Sequence, residues 1–566
     1  MKNKNIIMKN RLNAIAIGLL ASSSLVMAAN YNAMEHDQSN FSSIDQLASP
    51  TTGQGSASSA LESLRQAELS NKKANYVEVL NLIKQNKLDD ANKKIAELIK
   101  KSPNEADYYN LQALLETLKK DTAAAQRSYD TATKLDPRNI LAHLGLAKLA
   151  LDDGQLDKAK DSANKALAIN DKAINAYLIL ADVAYKQKNN AEVEKVLQTA
   201  QTKAKSDINA EIEVIKSLGK FYSVQKQPEK ILLLCEDLDK RYPDNAVALN
   251  LLAQAQIIND KKPLAEQTLQ KLINKEKQDV ANRLLLARLL SEHPDKDKET
   301  LALLDETALL APDKPDALAF KTAYLIKLKR TPEALELANK IDKQFPKLVL
   351  GKLLKADVYL ADKQLDKAVE LYQQTYKEQP NDRILFILAD LMIAQKKQPE
   401  AINLLNSALE KDKKNVSIHF KLATLYQQQN DTKEAEAHYD AMLTEQPDNV
   451  LALNNLAYLY FQKNDPRALE LAKRAYEKAP EAPAILDTYG YILIKQGQPK
   501  VGLPLLEKAA TLAPKANDIQ FHLAEAYVAN DDTAKAITLL ETIVKAEQDF
   551  SEKKSAISLL EKLKAK

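Results

Sequence analysis

The sequence predicts an all-α solenoid of antiparallel helix pairs, and three observations carry that prediction. The first is composition: 45% of the 566 residues are hydrophobic but only 5% aromatic, with no Trp and 10 Gly. Ala, Leu, Lys, Glu, Asp and Gln dominate, a mixture that favours helix and leaves few strand formers. The second is proline spacing. Pro103 and Pro137 lie 34 residues apart, as do Pro312 and Pro346, Pro346 and Pro380, and Pro480 and Pro514. The third is an internal pattern in step with that period: a large–small pair and an aromatic, then small residues one turn apart. Small residues let two helices cross closely.

The elements follow in chain order. Lys2, Lys4, Lys9 and Arg11 precede an apolar stretch from Leu12 to Leu20 that continues through Leu25, Val26, Met27 and Ala28. Val26 and Ala28 suit a signal-peptidase site, so residues 1–29 read as a secretory leader cut after Ala28 or Ala29. The apolar run is short for a membrane span, and Ser22, Ser23 and Ser24 weaken it further. No transmembrane span is expected after cleavage. No Cys follows the run, so the reading is an exported, periplasmic or secreted chain that is not a lipoprotein. Residues 30–59, rich in Ser, Thr and Gly, read as a disordered low-complexity linker. Residues 60–550 read as an array of about 13–14 repeat units, and 551–566 as a capping helix carrying Ile557, Leu560 and Leu563 on one stripe.

Within the array, Leu422-Ala423 with Tyr426, then Ala435, Tyr439 and Pro447, fit the template. So do Ala356 with Tyr359, then Ala368, Tyr372 and Pro380, and Leu523-Ala524 with Tyr527, then Ala536 and Leu540. Pro332, Pro399 and Pro466 fall at the first turn of second helices, where a missing N–H costs nothing. Residues 171–206 lack the terminal proline, and 293–300 form an irregular charged connection; a change of superhelical pitch is expected at these two places. The period and pattern resemble the tetratricopeptide-repeat (TPR) family, which implies a right-handed α-solenoid that binds other molecules along a concave groove.

Catalytic chemistry has no visible home. Ten scattered glycines build no phosphate loop, no Gly-x-Ser-x-Gly elbow exists, and carboxylates are spread over helix faces, so no enzyme and no cofactor is expected. Cys235 falls at a second-helix packing position and reads as an inert core thiol. His143 and His419 occupy the first-helix position where the family often places Trp. Glu434 and His438 sit one turn apart, a spacing compatible with metal ligation, but no third ligand is near and no metal site is expected. Removing four leader charges from the net +3 leaves about −1, with signs evenly mixed, so no nucleic-acid partner is expected.

The repeat register places positions 2, 5, 9 and 12 of each first helix on the groove. Towards the C-terminus these include Phe386, Phe420, Asn454, Tyr458, Phe461, Asp487, Tyr491 and Phe521. Aromatics with Asn and Asp interleaved suit a peptide or protein segment, or a sugar polymer such as a polysaccharide. Space-filling between first helices would use the same residues. Lys216 and Lys220 lie one turn apart on the same face and suit a carboxylate.

A narrower resemblance rests on Asn454-Asn455-Leu456-Ala457-Tyr458, on residues 465–472, and on Ile485-Leu486-Asp487-Thr488-Tyr489-Gly490-Tyr491. This block resembles the C-terminal repeats of PrsT-type proteins, exported TPR proteins of PEP-CTERM/exosortase systems. That resemblance implies a scaffold in envelope assembly, exopolysaccharide secretion or biofilm formation. Those proteins are longer and usually lipoproteins, so the particular pathway is not carried over.

Overall fold

The computed structural model describes residues 73–205, 207–546 and 550–565. The expected leader, linker and first residues of the array lie outside them. The described residues hold 29 α-helices, and the chain divides into two compact units between Tyr324 and Leu325.

The first unit contains α1 (Lys73–Lys84), α2 (Leu88–Lys101), α3 (Ala106–Leu118), α4 (Thr122–Leu135), α5 (Ile140–Asp152), α6 (Leu156–Ile169), α7 (Ile174–Lys186), α8 (Asn190–Ala204), α9 (Ile208–Val224), α10 (Pro228–Arg241), α11 (Ala246–Ile258), α12 (Lys262–Lys275), α13 (Val280–Leu290) and α14 (Asp297–Leu310). The division falls within α15 (Asp316–Lys327). The second unit continues with α16 (Thr331–Gln344), α17 (Leu350–Ala361), α18 (Leu365–Glu378), α19 (Asp382–Ala394), α20 (Gln398–Leu409), α21 (Val416–Gln428), α22 (Thr432–Glu445), α23 (Val450–Gln462), α24 (Arg467–Lys478), α25 (Pro483–Lys495), α26 (Pro499–Leu512), α27 (Asn517–Ala529), α28 (Thr533–Lys545) and α29 (Lys553–Lys564). Each unit is a run of hairpins, an odd-numbered helix folding back on the even-numbered one after it.

The turn inside almost every hairpin contains one left-handed residue. Asn86, Lys120, Gly154, Lys188 and Lys226 have positive φ, and so do Asn430, Asn464, Gly497 and Asp531 at the equivalent places. A residue in that conformation ends the first helix and lets the next N–H groups bond back to its last carbonyls, as Asp121 N–H does to Glu116 O at 2.9 Å. Asp or Asn then caps many of the helices that follow. Asp121, Asn139, Asn189, Asp279, Asn415 and Asn449 each accept a backbone N–H three residues on. The α13–α14 connection has no left-handed residue and turns through a 3-10 segment, Pro294–Lys296, instead. Glu266 of α12 holds it, with His293 Nε2 at 2.8 Å and Lys296 Nζ at 2.5 Å.

Small residues at the hairpin crossings set the helix spacing. Ala113 and Ala125, Ala147 and Ala159, and Ala423 and Ala435 are all fully buried. At α25–α26 both are glycine: a Cβ on Gly502 would lie 2.6 Å from the Gly490 carbonyl oxygen, so this pair crosses with backbone against backbone. A second device ties each first helix to the turn before it. Tyr109, His143, Tyr177 and His419 each donate a side-chain hydrogen bond to the carbonyl six residues earlier, over 2.9–3.1 Å. The histidines in the Trp position therefore do more than fill space. Cys235 is buried, and burial together with Glu236 pushes its thiol up to about 12, which keeps it protonated and inert.

One carboxyl sits in the core. Asp357 of α17 is buried and accepts a hydrogen bond from Tyr372 of α18. Burial raises its pKa to about 7 against the opposing pull of Tyr372 and Arg383. An unfolded aspartate ionises near pH 4. The folded chain thus holds the proton longer, and the stability this adds is complete below about pH 4 and lost as pH rises through 7. Asp357→Asn, which still accepts from Tyr372, should flatten that decline, of order 4 kcal/mol, in melting curves taken between pH 4 and 8. An unchanged profile would show that Asp357 ionises normally.

Candidate functional site

Three successive first helices build the site: α23, α25 and α27. Asn454, Tyr458 and Phe461 project from one face of α23, being four and three residues apart, and all three are half-buried. The rings continue across helices. Tyr458 and Phe461 lie 6.3 Å apart, Phe461 meets Tyr491 of α25 edge-on at 5.7 Å, and Tyr491 stacks on His522 of α27 at 3.9 Å. Asn454 Oδ1 is buried without a hydrogen-bond donor in reach.

Around this ring chain stand Asp487, Asp518, Glu525 and Glu552, against the cations Lys495 and His522. The Tyr491 hydroxyl donates to Glu525 at 2.7 Å, and Lys495 pairs with the other Glu525 oxygen at 2.7 Å. His522 is 6% exposed and bridges two carboxylates: Nδ1 lies 2.8 Å from Asp487, and Nε2 lies 3.0 Å from Glu552. Burial opposes its charge, but the hydrogen bond to Asp487 and the ion pair with Glu552 outweigh burial and raise its pKa to about 10. The imidazolium therefore stays charged at neutral pH and ties α25 and α27 to the residues that begin α29. Ser551 donates to Asp518 at 2.5 Å beside it. Burial, then the charges of Glu552, Asp487 and Asp518, raise the pKa of the Tyr458 hydroxyl.

The eight residues read from the register separate into groups. Asn454, Tyr458, Phe461, Asp487 and Tyr491 come together, although Tyr491 is only 8% exposed. Phe521 is 3% exposed and packs with Leu540, Ile543 and Phe550, so it fills the core under α29. Phe420 packs against the core cluster that holds Ala423, Tyr439 and Leu456, whereas Phe386 packs on a separate cluster with Leu385, Ile418 and Leu422. His522, Glu525 and Glu552 were missed; the position next to Phe521 in the register was the available signal for His522. Lys216 pairs with Glu213 at 3.0 Å on its own helix, and Lys220 acts on the Asp182 carboxyl. His438 turns to His419 rather than to Glu434. Among the described residues no group of three or more His, Cys, Asp or Glu side chains converges as a metal set.

Two family models described as tetratricopeptide repeat match, one at residues 76–139, 119–174 and 144–208, the other at 359–423, 392–453 and 493–560. Together they reach just over half of the chain. This is a tetratricopeptide-repeat protein. Its hairpins are the repeats, and stacked repeats of this kind make it a protein-interaction scaffold. Among curated proteins it is similar to the human protein O-mannosyl-transferase TMTC3, 26% identical over 237 residues. That match takes in 41% of this chain and only 25% of the relative, so the TPR chain spans a quarter of that protein's length. Among solved structures it is similar to the Cut9–Hcn1 hetero-tetramer of the APC/C, 15% identical with a TM-score of 0.34, and to yeast Tom70, 18% identical with a TM-score of 0.34. Each alignment covers 81% of this chain and 96% of the other. Among the described residues no helix is long and apolar enough to cross a membrane.

Proposed function

We propose that this TPR protein is an exported scaffold whose α23–α25–α27 face holds a segment of a partner protein during envelope assembly, exopolysaccharide secretion or biofilm formation. The observation that carries the reading is the half-buried row Asn454, Tyr458 and Phe461, backed by rings that are themselves locked in place. A rigid aromatic face loses little entropy when a partner covers it. Four carboxylates around two cations leave the face negative, which suits a segment carrying Lys or Arg against the Tyr458 ring. The leader-like N-terminus supports export, and the motifs shared with PrsT-type proteins support the envelope setting.

Asn454→Ala with Tyr458→Ala leaves Tyr491 and His522 untouched and therefore spares the packing. In affinity capture from an envelope fraction, this variant should lose the partner by at least about tenfold, the loss of one hot-spot side chain or more. Full retention would sink the groove assignment. Retention of a polysaccharide on native gels, abolished by the same variant, would favour direct binding of the polymer, since the aromatic face would also stack on sugar rings.

A further inference from the structure

His419 of α21 and His438 of α22 face each other through Nδ1 atoms 2.8 Å apart, with ring centroids at 5.1 Å. His419 Nε2 is 3.0 Å from the Lys413 carbonyl oxygen, which only accepts, so Nε2 carries the hydrogen and Nδ1 of the neutral ring is a lone pair. A carbonyl that fixes the distal N–H of an imidazole is the usual support of a metal-ligating histidine. Tyr426 stacks on His438 at 5.6 Å and an interplanar angle of 12°, holding the second ring as well. His419 is buried, whereas His438 is half-buried and reached by water.

We propose that His419 and His438 form a two-histidine site for a borderline divalent cation such as zinc(II) or copper(II), with water completing the shell. Two Zn–N bonds of about 2.0–2.1 Å at an angle between 90° and the tetrahedral value put the nitrogens about 2.9–3.3 Å apart. The pair has to open by up to about half an ångström, and both rings have to tilt so that their lone pairs converge on the ion. The His438 proton that now bridges the rings moves to its own Nε2, leaving both Nδ1 atoms as ligands and releasing no proton. His143 supplies an internal control: it makes the same bond to a turn carbonyl, Pro137 O at 2.9 Å, but Ser162 stands where His438 stands in its own repeat. Imidazole prefers zinc and copper over the hard cations calcium and magnesium.

Titration of the full chain with zinc chloride should reveal one site of micromolar strength, consistent with only two protein ligands. His438→Asn and His419→Asn should each weaken it at least tenfold, while His143→Asn leaves it unchanged. Copper(II) bound at one equivalent should show hyperfine coupling to two nitrogens in electron paramagnetic resonance, lost with His438→Asn. His438→Asn sits at a half-buried position, and an unchanged circular dichroism melt establishes that it folds. No saturable binding by the native chain, or binding that survives His438→Asn, overturns the site.

Discussion

Arg241→Ala should destabilise the first unit by about 3–5 kcal/mol, the usual cost of stranding one partner of a buried ion pair. Glu211 of α9 has no exposed surface, on a helix whose Ile212 and Ile215 belong to the hydrophobic core. Its Oε2 accepts from Arg241 Nη1 of α10, and its Oε1 has no partner. Arg241 also donates through Nη2 and Nε to Asp237 at 2.9 and 3.2 Å, so the guanidinium is fixed before it reaches Glu211. Removing it strands a buried carboxyl group without its partner. Replacing both residues by Met should cost far less, because apolar groups of similar volume need no solvation. Denaturant melts of the full chain and both variants measure this. A single-variant loss below about 1 kcal/mol would mean that water reaches Glu211, the regime of an exposed pair.

His522→Ala should loosen the C-terminal end of the second unit by a comparable amount, about 3 kcal/mol. The substitution removes a cation from between Asp487 and Glu552 and the ring that Tyr491 stacks on. Because α29 is held to α27 partly through Glu552, amide exchange should quicken first in α29 and α28, with the first unit unaffected. The pH dependence has a definite sign. The folded pKa is raised to about 10 from the ordinary 6.5, so the stabilisation is complete below about pH 6.5 and lost as pH rises through 10. Lysines titrate in the same range, so the wild-type minus variant difference between pH 7 and 10.5 is the quantity to follow. His522→Gln, a neutral donor, should fall between the two. Equal pH profiles for wild type and Ala variant would show that the imidazole is neutral.

Much of the fold was legible because its determinants are local. Proline recurring at 34-residue spacing and small residues one turn apart act within a few residues of themselves, so a periodic sequence writes them openly. The irregular connection at residues 293–300, read from its charges, is a 3-10 turn in the structure. The site was legible in part. The register brought Asn454, Tyr458, Phe461 and Asp487 to one face, since a helix period determines which residues share a side. It overstated Phe521, whose exposure depends on what α29 covers, and it passed over His522, whose partners lie 30 and 35 residues away.

The sequence by itself determined the helices, their hairpin pairing, the crossings set by Ala and Gly, and the inert place of Cys235. Only the tertiary structure decided that Asp357 is sealed in the core, that His438 meets His419 instead of Glu434, and that one imidazolium bridges Asp487 and Glu552. The reason is physical. Periodicity specifies the face on which a side chain stands, but burial and pairing depend on how closely neighbouring helices cross.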